Sequence, residues 1–423
     1  MVFAFKLIGL EAEGSPRGEL TLVWDKPAAK HVWPFAVEAI RPDLLGNLLK
    51  NGDFKSARQN WSLCGGKLMD VAAAKGGKAS DPGMEGRALA LENAKNYVSA
   101  NQRIDLPAPG REYLYTAWAW TDMMYCGSNL GFTKKDGSCR DHHMLRVFTA
   151  PKSTKGWVLL TKRFGTDIDD VSVTFAPVGV GRPGPDGRSL ALYRNVRVTV
   201  YDGTDYAAEA DRRKGEIKID GDLSDWTDAT CEIPLLAENQ VRPGPGYAWT
   251  PQNLSGVAHF AWDDGSLYFA ARVKDDSHVV RKDGEADQGD AITLALHPGN
   301  RVPGTEGRAV EWILSTASPG GGSGKFTLYR PGARSGGLKS GQLAKDSSNY
   351  DLAIRRDGDI CIYELRIPWN EVPGFAPETG ATLGLSLRLT DRDENGAFGE
   401  INWGMGLSPA WAPSAFGALT LVP

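Results

Sequence analysis

Residues 218–226, KIDGDLSDW, place several acidic side chains close enough together to hold a metal ion or to turn the chain. A calcium loop of the EF-hand type needs oxygen ligands at positions 1, 3 and 5, glycine at position 6 and an acidic residue at position 12. Counted from Asp220, the sixth position holds Asp225 and the twelfth holds Cys231, so this loop type is excluded. The pattern instead predicts a strand, a turn at Asp220 and packing of Trp226 under a new β domain.

Acidic residues are also dense in GTDIDDVSV and TDRDENG, where a pair of carboxylates could serve glycoside hydrolysis. The acidic residues of these two stretches are Asp167, Asp169 and Asp170, and Asp391, Asp393 and Glu394. Both stretches are typical of turns, in which acidic residues cap the backbone, face solvent or bind calcium. Neither is accompanied by a histidine or tyrosine motif for acid/base chemistry, so we expect no catalysis.

Cysteine and histidine are grouped in one stretch, YCGSNLGFTKKDGSCRDHH, which holds Cys126, Cys139, His142 and His143. Zinc sites usually have cysteines two to four residues apart and histidines three to five apart. Here the cysteines are far apart and the histidines are adjacent, so the spacing disfavours zinc. A disulfide between Cys126 and Cys139 would close the loop, and two free thiols are the alternative.

Trp118 and Trp120 lie two residues apart in YLYTAWAWTD and therefore share one face of a predicted strand. Such a pair could form the floor of a sugar-binding groove or fill the inside of a sandwich, and the inside is favoured. Other tryptophans lie in or beside predicted strands and are expected in the core. These are Trp262, Trp312, Trp369 and Trp403.

Charge and composition narrow the classes of partner. With Lys+Arg 48 against Asp+Glu 52, the formal net charge of -4 gives no field that would hold a polyanion, which excludes nucleic acid and anionic membrane surfaces. No apolar run approaches the roughly 20 residues of a membrane span. Five cysteines are too few and too scattered for a disulfide scaffold. Neutral ligands suit this chain better.

Alternating strand patterns and turn-rich joints, with 50 Gly and 25 Pro in 423 residues, predict an all-β fold. We expect two tandem antiparallel β-sandwiches of the jelly-roll kind, preceded by a short N-terminal β segment. The expected divisions are a β segment over residues 1–44, a first sandwich over 45–203, a linker over 204–214 and a second sandwich over 215–423. The β segment would be the tail of a preceding domain or an extra sheet.

Motifs that resemble a known family follow one another over about residues 215 to 423. They are IDGDLSDW, AWDDGSLYFAARVKDD, DQGDAITLAL, YELRIPW, LGLSLRLTDRD and WAPSAFGALTL. In this order they resemble the family 9 carbohydrate-binding modules and their wider sandwich superfamily. In the first sandwich, LLKNGDF and YRNVRVTVYDG resemble the jelly-roll carbohydrate-binding modules of families 4 and 22. The family 9 resemblance implies a sugar end held between two tryptophan faces, polar side chains that bind its hydroxyls, and structural calcium.

The positions of that implied sugar site are only partly kept. Trp411, on the loop before the last strand, matches one clamp tryptophan, whereas Asp287 stands where the family has the other. Thr293 replaces the acidic residue that follows on the same strand, and Ile313 lies near the position of an expected arginine. We therefore expect a half-clamp built on Trp411.

A second aromatic group could complete the clamp. Trp249 and Tyr247 lie in the proline-rich stretch RPGPGYAWTPQN, where Trp249 could stack on a sugar or could anchor its own loop. Trp118 and Trp120 remain candidates for a sugar-binding face in the first sandwich.

The function expected from these features is non-catalytic carbohydrate binding, by a whole protein or by a fragment of a secreted polysaccharide-acting protein. The start of the chain lacks the features of a signal peptide, so an extracellular or cell-surface location implies a mature or excised form. The alternative is a structural or assembly module of an extracellular surface or appendage protein with a degenerate sugar site, which could self-assemble. Structural Ca²⁺ is expected at acidic residues Asp275, Asp276, Asp391, Asp393 and Glu394.

Overall fold

A computed structural model gives the fold of the chain. It describes residues 2–10, 16–23, 30–36, 46–75, 86–92, 98–122, 125–145, 154, 156–180, 189–201, 203–227, 229, 231–280, 289–300, 308–315, 325–329, 350–408 and 411–423. The chain divides into two compact units, Met1–Leu45 and Gly46–Pro423. Within the described ranges, no helix has the length and apolar character needed to cross a membrane.

The first unit contains one antiparallel sheet of three strands in the order β1-β2-β3. The strands are β1 (Val2–Leu10), β2 (Pro16–Val23) and β3 (Lys30–Ala36). The first two coincide with the runs FAFKLIGL and GELTLV, which alternate in hydrophobicity as strands do. The third strand begins before the run FAVEAI that marked it in the sequence.

The second unit begins with a β-sandwich made of two sheets of five strands each. One sheet has the order β10-β9-β12-β7-β4 and the other the order β11-β8-β13-β6-β5. The strands are β4 (Ser62–Cys64), β5 (Lys67–Asp70), β6 (Arg87–Glu92), β7 (Val98–Asp105), β8 (Glu112–Thr121), β9 (Tyr125–Lys134), β10 (Cys139–Leu145), β11 (Val158–Gly165), β12 (Asp170–Val180) and β13 (Leu190–Val200). A short helix, α1 (Val71–Lys75), follows β5.

Aromatic side chains from both sheets fill the core of this first sandwich. The ring of Tyr115 on β8 is nearly parallel to that of Phe175 on β12, with centroids 6.0 Å apart. Phe164 contacts Tyr113 and Phe132 in the same layer. Each of these rings is buried, as the alternation of apolar residues along the strands predicts.

The rest of the second unit is one hydrogen-bonded sheet of 13 strands that folds over on itself. Its strands are β14 (Ala207–Arg212), β15 (Glu232–Leu235), β16 (Val241–Pro243), β17 (Leu254–Trp262), β18 (Ser266–Asp275), β19 (Ala291–His297), β20 (Val310–Ser315), β21 (Lys325–Tyr329), β22 (Asp351–Asp357), β23 (Ile360–Pro368), β24 (Thr382–Arg392), β25 (Phe398–Trp403) and β26 (Gly417–Val422). Short 3₁₀ helices lie at Leu223–Asp225, Glu238–Gln240, Trp369–Glu371 and Pro413–Ala415.

Both halves of this folded sheet bury their apolar side chains in a single core, which makes the region a second sandwich. Phe260 of β17 and Phe269 of β18 come from one half, and Leu294 of β19 and Leu387 of β24 come from the other. The predicted core tryptophans 262, 312, 369 and 403 are all buried in it. The all-β, two-sandwich fold class predicted from the sequence is confirmed.

Residues 204–214, expected to be a linker, contain strand β14. This strand pairs in parallel with β26 and with β17, so it lies inside the second sheet. Ala208 and Ala210 face the core, and Glu209 between them points to the other side, where it pairs with Arg197. The small and charged residues of this segment are typical of a linker, but they fit a short strand of this kind equally well.

The stretch KIDGDLSDW is held by one carboxylate at the start of the second sandwich. Trp226 is buried, and its indole nitrogen donates to Glu364 Oε1 at 2.7 Å. The other oxygen of Glu364 accepts from the backbone nitrogens of Asp220 and Gly221. The predicted turn and anchor are therefore joined through Glu364 of β23, but the strand predicted before the turn is wrong, since residues 216–219 belong to no strand.

The two sandwiches pack directly against each other within the second unit. A buried apolar cluster joins Trp118, Trp157 and Leu192 of the first sandwich to Leu236 and Val257 of the second. A parallel β-bridge pairs residue 157 with residue 237, and the nitrogen of residue 238 donates to the carbonyl of residue 157 at 3.0 Å. This arrangement joins the sandwiches through both backbone and core.

Buried charges lie beside this apolar contact. Arg194 of β13 forms an ion pair with Glu232 of β15, and only 3% and 9% of the two side chains are exposed. Asn195 Nδ2 also donates to Glu232 Oε2 at 3.0 Å. Next to them, Arg197 pairs with Glu209 of β14 at 2.8 Å.

Candidate functional site

One side of the second sandwich carries polar and charged residues on the face opposite its core. In β19 and β24 the leucines and Ile292 enter the core, and the residues that alternate with them lie on that opposite face. In β20 the core side chains are Val310, Trp312 and Leu314, so Glu311 and Ile313 share the opposite face, where Ile313 pairs with Thr293. Thr293, Glu311, Ile313 and Glu400 are buried. Backbone pairing places Thr293 opposite Arg388, and Arg388 opposite Asn402. The polar face is defined here as Thr293, Glu311, Arg388, Glu400 and Asn402.

Arg388 connects its neighbours across the polar face. Its Nη2 donates to Thr293 Oγ1 at 3.2 Å, and its Nη1 lies 3.6 Å from Glu400 Oε1. The Nε atom is buried and has no hydrogen-bond partner among the residues that the structure describes. Because a buried donor without a partner is unfavourable, the polar face can take a further acceptor, such as a sugar hydroxyl.

Trp411 lies at the edge of the polar face. Its ring meets Phe416 edge to face, with centroids 5.5 Å apart and an interplanar angle of 88°, and it packs on a cluster that includes Ala295. Ala295 is two residues from Thr293 on the same face of β19, a separation of about 7 Å. Trp411 as a whole is half-buried. The structure therefore brings this predicted residue next to the polar face, while Asp287 of the other clamp position lies outside the described residues.

Trp249 is half-buried between the two sandwiches. Its indole nitrogen donates to the carbonyl of Leu254 at 2.8 Å. On the other side, a Cβ added to Gly156 of the first sandwich would lie 2.8 Å from Trp249 Cη2, so the ring closely covers that glycine. These contacts are those of a ring that anchors its loop.

Tyr247, the neighbour of Trp249 in the sequence, is buried at another place. Its ring lies over Gly399, where a Cβ would come within 2.1 Å of Tyr247 Cε1. Its hydroxyl donates to Asp391 Oδ2. The ring faces of Tyr247 are covered, so it does not belong to the polar face.

Trp118 and Trp120 share one face of β8, as their spacing predicts. Tyr113 and Tyr115 of the same strand fill the core of the first sandwich, whereas Trp118 packs in the apolar contact with the second sandwich. Trp120 is half-buried at the margin of that contact. The pair therefore lines a contact between sandwiches, neither an open groove nor the first core.

A second candidate site is a cluster of acidic residues at one end of the second sandwich. The acidic cluster is defined here as Asp275, His278, Asp290, Asp391 and Asp393. His278 Nδ1 lies 3.1 Å from Asp275 Oδ2 and 3.3 Å from Asp290 Oδ2. Atoms of these three residues that could bind a metal ion lie within 4.8 Å of one another. The ends of β18 and β24 and the start of β19 bring the cluster together.

Mutual repulsion in the acidic cluster appears in its pKa values. Burial and the nearby carboxylates raise the pKa of Asp391 to about 8, although the hydrogen bond from Tyr247 acts in the opposite direction. Burial lowers the pKa of His278, but its contacts with Asp275 and Asp290 outweigh burial and raise it to about 9. Asp391 Oδ1 is buried and has no hydrogen-bond partner among the described residues.

The residues of the acidic cluster fit a divalent cation. Calcium prefers carboxylate oxygens, of which Asp275, Asp290 and Asp391 supply buried ones, and the unpartnered Asp391 Oδ1 is one more available donor. Arg356 Nη1, 3.4 Å from Asp275 Oδ2, offsets part of the negative charge. A bound cation would relieve the repulsion that raises the pKa of Asp391.

Two predicted calcium ligands lie at the margin of the acidic cluster. Asp276 is exposed, and burial together with the charges of Asp393 and Asp275 raises its pKa. Glu394 is exposed on the turn after Asp393. His278 and Asp290 belong to the cluster but were not among the predicted ligands.

The predicted disulfide between Cys126 and Cys139 is wrong. Both are free thiols, Cys126 buried and Cys139 exposed. Cys139 of β10 pairs with Thr133 of β9, seven residues along that strand from Cys126. Seven strand residues span about 23 Å, whereas the Cα atoms of a disulfide lie about 4.4–6.8 Å apart.

Sequence reasoning missed Arg388, although its signal is present. In LGLSLRLTDR the leucines alternate with Ser386, Arg388 and Thr390, which places the polar residues on the side opposite the core. The family resemblance directed attention to Ile313, where the arginine was expected. The structure supplies an arginine from β24, two strands away from Ile313 of β20.

Comparisons with known proteins give structural similarities alone. No model of a protein family matches the sequence, and no curated protein matches it. A family 9 carbohydrate-binding module from Caldicellulosiruptor kristjanssonii, solved with cellotriose, has 19% identity and a TM-score of 0.37, over 51% of this chain and 93% of that one. The C-terminal family 22 carbohydrate-binding module of a Clostridium thermocellum protein has 14% identity and a TM-score of 0.27, over 38% and 98%. Both of these solved structures are carbohydrate-binding modules, the class that the sequence motifs resemble.

Proposed function

We propose that the second sandwich binds carbohydrate at the polar face, with Trp411 as the stacking ring. The observation that carries the proposal is that this half-buried tryptophan packs on Ala295, two residues along β19 from Thr293. Thr293 lies opposite Arg388, whose buried Nε lacks a partner among the described residues. A sugar presents an apolar C–H face to an aromatic ring and hydroxyls to polar side chains, so it needs both features side by side. Oligosaccharides or polysaccharides met outside the cell are the expected ligands.

The proposed function is non-catalytic. The two glutamates of the polar face, Glu311 and Glu400, lie on β20 and β25, which are separated by β19 and β24. Three strand spacings amount to about 14 Å. The carboxyl pairs of glycoside hydrolases lie about 5–9.5 Å apart, so these glutamates are too far from each other to act together.

Isothermal titration of the full chain with a panel of neutral oligosaccharides tests the proposal. Trp411→Ala should weaken binding at least ten-fold, which corresponds to about 1.4 kcal/mol, while Trp411→Phe should keep most of it because a ring remains. Arg388→Met should also weaken binding at least ten-fold. Trp120→Ala, which removes another half-buried ring, is the matched control and should bind as the unchanged protein does. The absence of binding to every sugar, or full binding by Trp411→Ala, would contradict the proposal.

We also propose that the acidic cluster binds Ca²⁺ as a structural ion. The buried, unpartnered oxygen of Asp391 favours this second role. A ligand that binds only the folded state at a hundred times its Kd stabilises it by about 2.7 kcal/mol. Calcium should therefore raise the melting temperature, and a chelator should lower it again.

Substitutions separate specific calcium binding from a general effect of salt. Asp391→Asn should abolish the calcium-dependent rise in melting temperature and the heat of calcium binding. Glu394→Gln removes an exposed acidic residue of the following turn and should leave both unchanged. A melting temperature that neither calcium nor chelator shifts would reject this role.

A further inference from the structure

The first sandwich has an open groove of about 650 Å³ at the edge of one sheet. Its lining includes Arg58, Asn60, Trp61, Ser62, Asn101 and Arg103. The volume is within the range of about 300–1,000 Å³ that is usual for ligand sites. The groove belongs to the first sandwich, whereas the polar face and the acidic cluster belong to the second.

Strand pairing fixes the floor of this groove. The edge strand β4 pairs with β7, and Ser62 lies opposite Asn101. Asn101 and Arg103 alternate along β7 with the buried Ala100 and Ile104, so both point to the outer side of the sheet. A hydroxyl, an amide and a guanidinium group therefore line the same surface.

A strained loop supplies the other wall of the groove. Four residues of this loop have left-handed backbone conformations with φ between 52° and 68°: Asn51, Phe54, Ala57 and Asn60. Such conformations are unfavourable for non-glycine residues, above all for phenylalanine and alanine, and persist only where the surroundings impose them. They are concentrated in this loop, which carries Arg58.

Side-chain contacts hold the loop in this conformation. Asn51 Nδ2 donates to the carbonyls of Ala57 at 2.8 Å and Gln59 at 3.0 Å. Trp61 Nε1 donates to the carbonyl of Asn51 at 3.0 Å, and the Trp61 ring packs on Phe54 with centroids 5.3 Å apart. These contacts fix the backbone that carries Arg58 and Asn60, which lowers the entropy cost of binding a ligand at the groove.

The charge of the lining selects the ligand. Two guanidinium groups line the groove together with amides and one hydroxyl, and no carboxylate belongs to the lining that the structure describes. The formal net charge of -4 predicted neutral ligands and no field for a polyanion, but the lining of this groove is locally positive. Asp105, the next outward residue of β7, lies beyond the lining. Guanidinium groups bind carboxylates with charge-assisted hydrogen bonds, whereas a neutral sugar would leave them without an ionic partner.

We propose that this groove binds an acidic carbohydrate chain, one whose sugar units carry carboxylate groups, through Arg58 and Arg103. The amides of Asn60 and Asn101 and the hydroxyl of Ser62 contact the sugar hydroxyls. Binding at this groove is separate from binding at the polar face. A long-range ionic contribution makes it sensitive to salt.

Titration of the full chain with oligogalacturonate tests this inference, with the methyl-esterified oligomer as the matched neutral ligand. The acidic oligomer should bind at least ten-fold more tightly than the ester, and the difference should shrink as salt rises from about 0.05 to 0.3 M. Arg58→Gln with Arg103→Gln should remove that preference. Arg87→Gln, on β6 of the other sheet, removes another exposed arginine and should leave that preference intact.

Two further outcomes decide between sites and ligands. Trp411→Ala should keep the acidic preference, which separates failure at this groove from failure at the polar face. Equal binding of ester and acid, an acidic preference that survives the double substitution, or binding of sulfated oligomers alone would overturn the inference. Circular dichroism of the double variant should match that of the unchanged protein because both arginines are exposed.

Discussion

Replacing Glu232 with glutamine should cost about 3 kcal/mol of folding free energy at pH 7, and the cost should vanish in acid. Glu232 is buried where the two sandwiches meet, and its partner Arg194 comes from the other sandwich. Burial disfavours its charge, but Arg194 and the other cations nearby outweigh burial, so that its pKa falls from 4.5 to about 2. The charged carboxylate is therefore more stable in the folded protein than in the unfolded chain.

The magnitude follows from this change in pKa. Each pH unit corresponds to about 1.4 kcal/mol, so a fall from 4.5 to about 2 gives about 3 kcal/mol. Removal of one partner from a buried ion pair usually costs about 3–5 kcal/mol, which agrees in size. A folded-state pKa below the unfolded value means that the contribution is complete above pH 4.5 and is lost as the pH falls towards 2.

Urea unfolding followed by tryptophan fluorescence measures this effect at pH 7 and at steps down to about pH 3. The free energy of unfolding of Glu232→Gln should lie about 3 kcal/mol below that of the unchanged protein at pH 7. The difference should shrink to about 1.4 kcal/mol at pH 3, where only about one pH unit separates the pH from the folded-state pKa. Arg194→Met should be destabilised to a similar extent, and the double variant by less than the sum of the two.

A surface ion pair in the second sandwich provides the control. Arg366 and Asp351 lie 2.5 Å apart, but Asp351 is 56% exposed, so Asp351→Asn should cost less than about 1 kcal/mol. If Glu232→Gln costs no more than this control, or if its cost is the same at pH 7 and pH 3, the ion pair between Arg194 and Glu232 does not stabilise the contact between the sandwiches.

Three further changes test other contacts. Gly399→Ala places a Cβ 2.1 Å from the Tyr247 ring and should cost about 1–3 kcal/mol in urea unfolding. Gly215→Ala is the control and should cost little, because nothing lies within 4 Å of its Cβ position and its φ is outside the left-handed region. Glu364→Gln should lower the melting temperature by weakening the hydrogen bond to Trp226, a cost of about 1–3 kcal/mol; an unchanged melting temperature would show that this carboxylate is dispensable. Without reductant, the exposed Cys139 should react with a thiol reagent in the native protein, and the buried Cys126 should react only after unfolding. If Cys126 fails to react in denaturant, the two cysteines form a disulfide after all.

The sequence predicts which residues of a strand share a face more reliably than it predicts what covers that face. Trp118 and Trp120 lie on one face because side chains alternate in any strand. Both faces of β8 are buried, however, and the tyrosines fill the core of the sandwich while Trp118 packs on the other sandwich. Nothing local to YLYTAWAWTD distinguishes these two partners.

The sites depend on strand register, which short motifs do not encode. His278 and Asp290 come close to Asp391 only because the ends of β18 and β24 and the start of β19 meet at the same place in the folded sheet. The acidic runs around Asp275 and Asp391 identify calcium candidates in the sequence. Glu394 belongs to the same acidic run as Asp391, but it is exposed whereas Asp391 is buried, and the sequence does not separate the two. The disulfide prediction failed for a related reason, since the pairing of β9 with β10 separates two cysteines that share one loop in the sequence.

The close packing of the two sandwiches has a consequence for polymeric ligands. The apolar cluster, the β-bridge at residue 157 and the buried ion pair fix the spacing between the polar face and the groove of the first sandwich. A glycan long enough to reach both surfaces meets the second at an effective concentration set by this spacing, with no flexible tether to restrain. On the two binding proposals, avidity should rise above the chain length that reaches both surfaces and be absent below it, so polymers should bind more tightly than short oligomers of the same sugars.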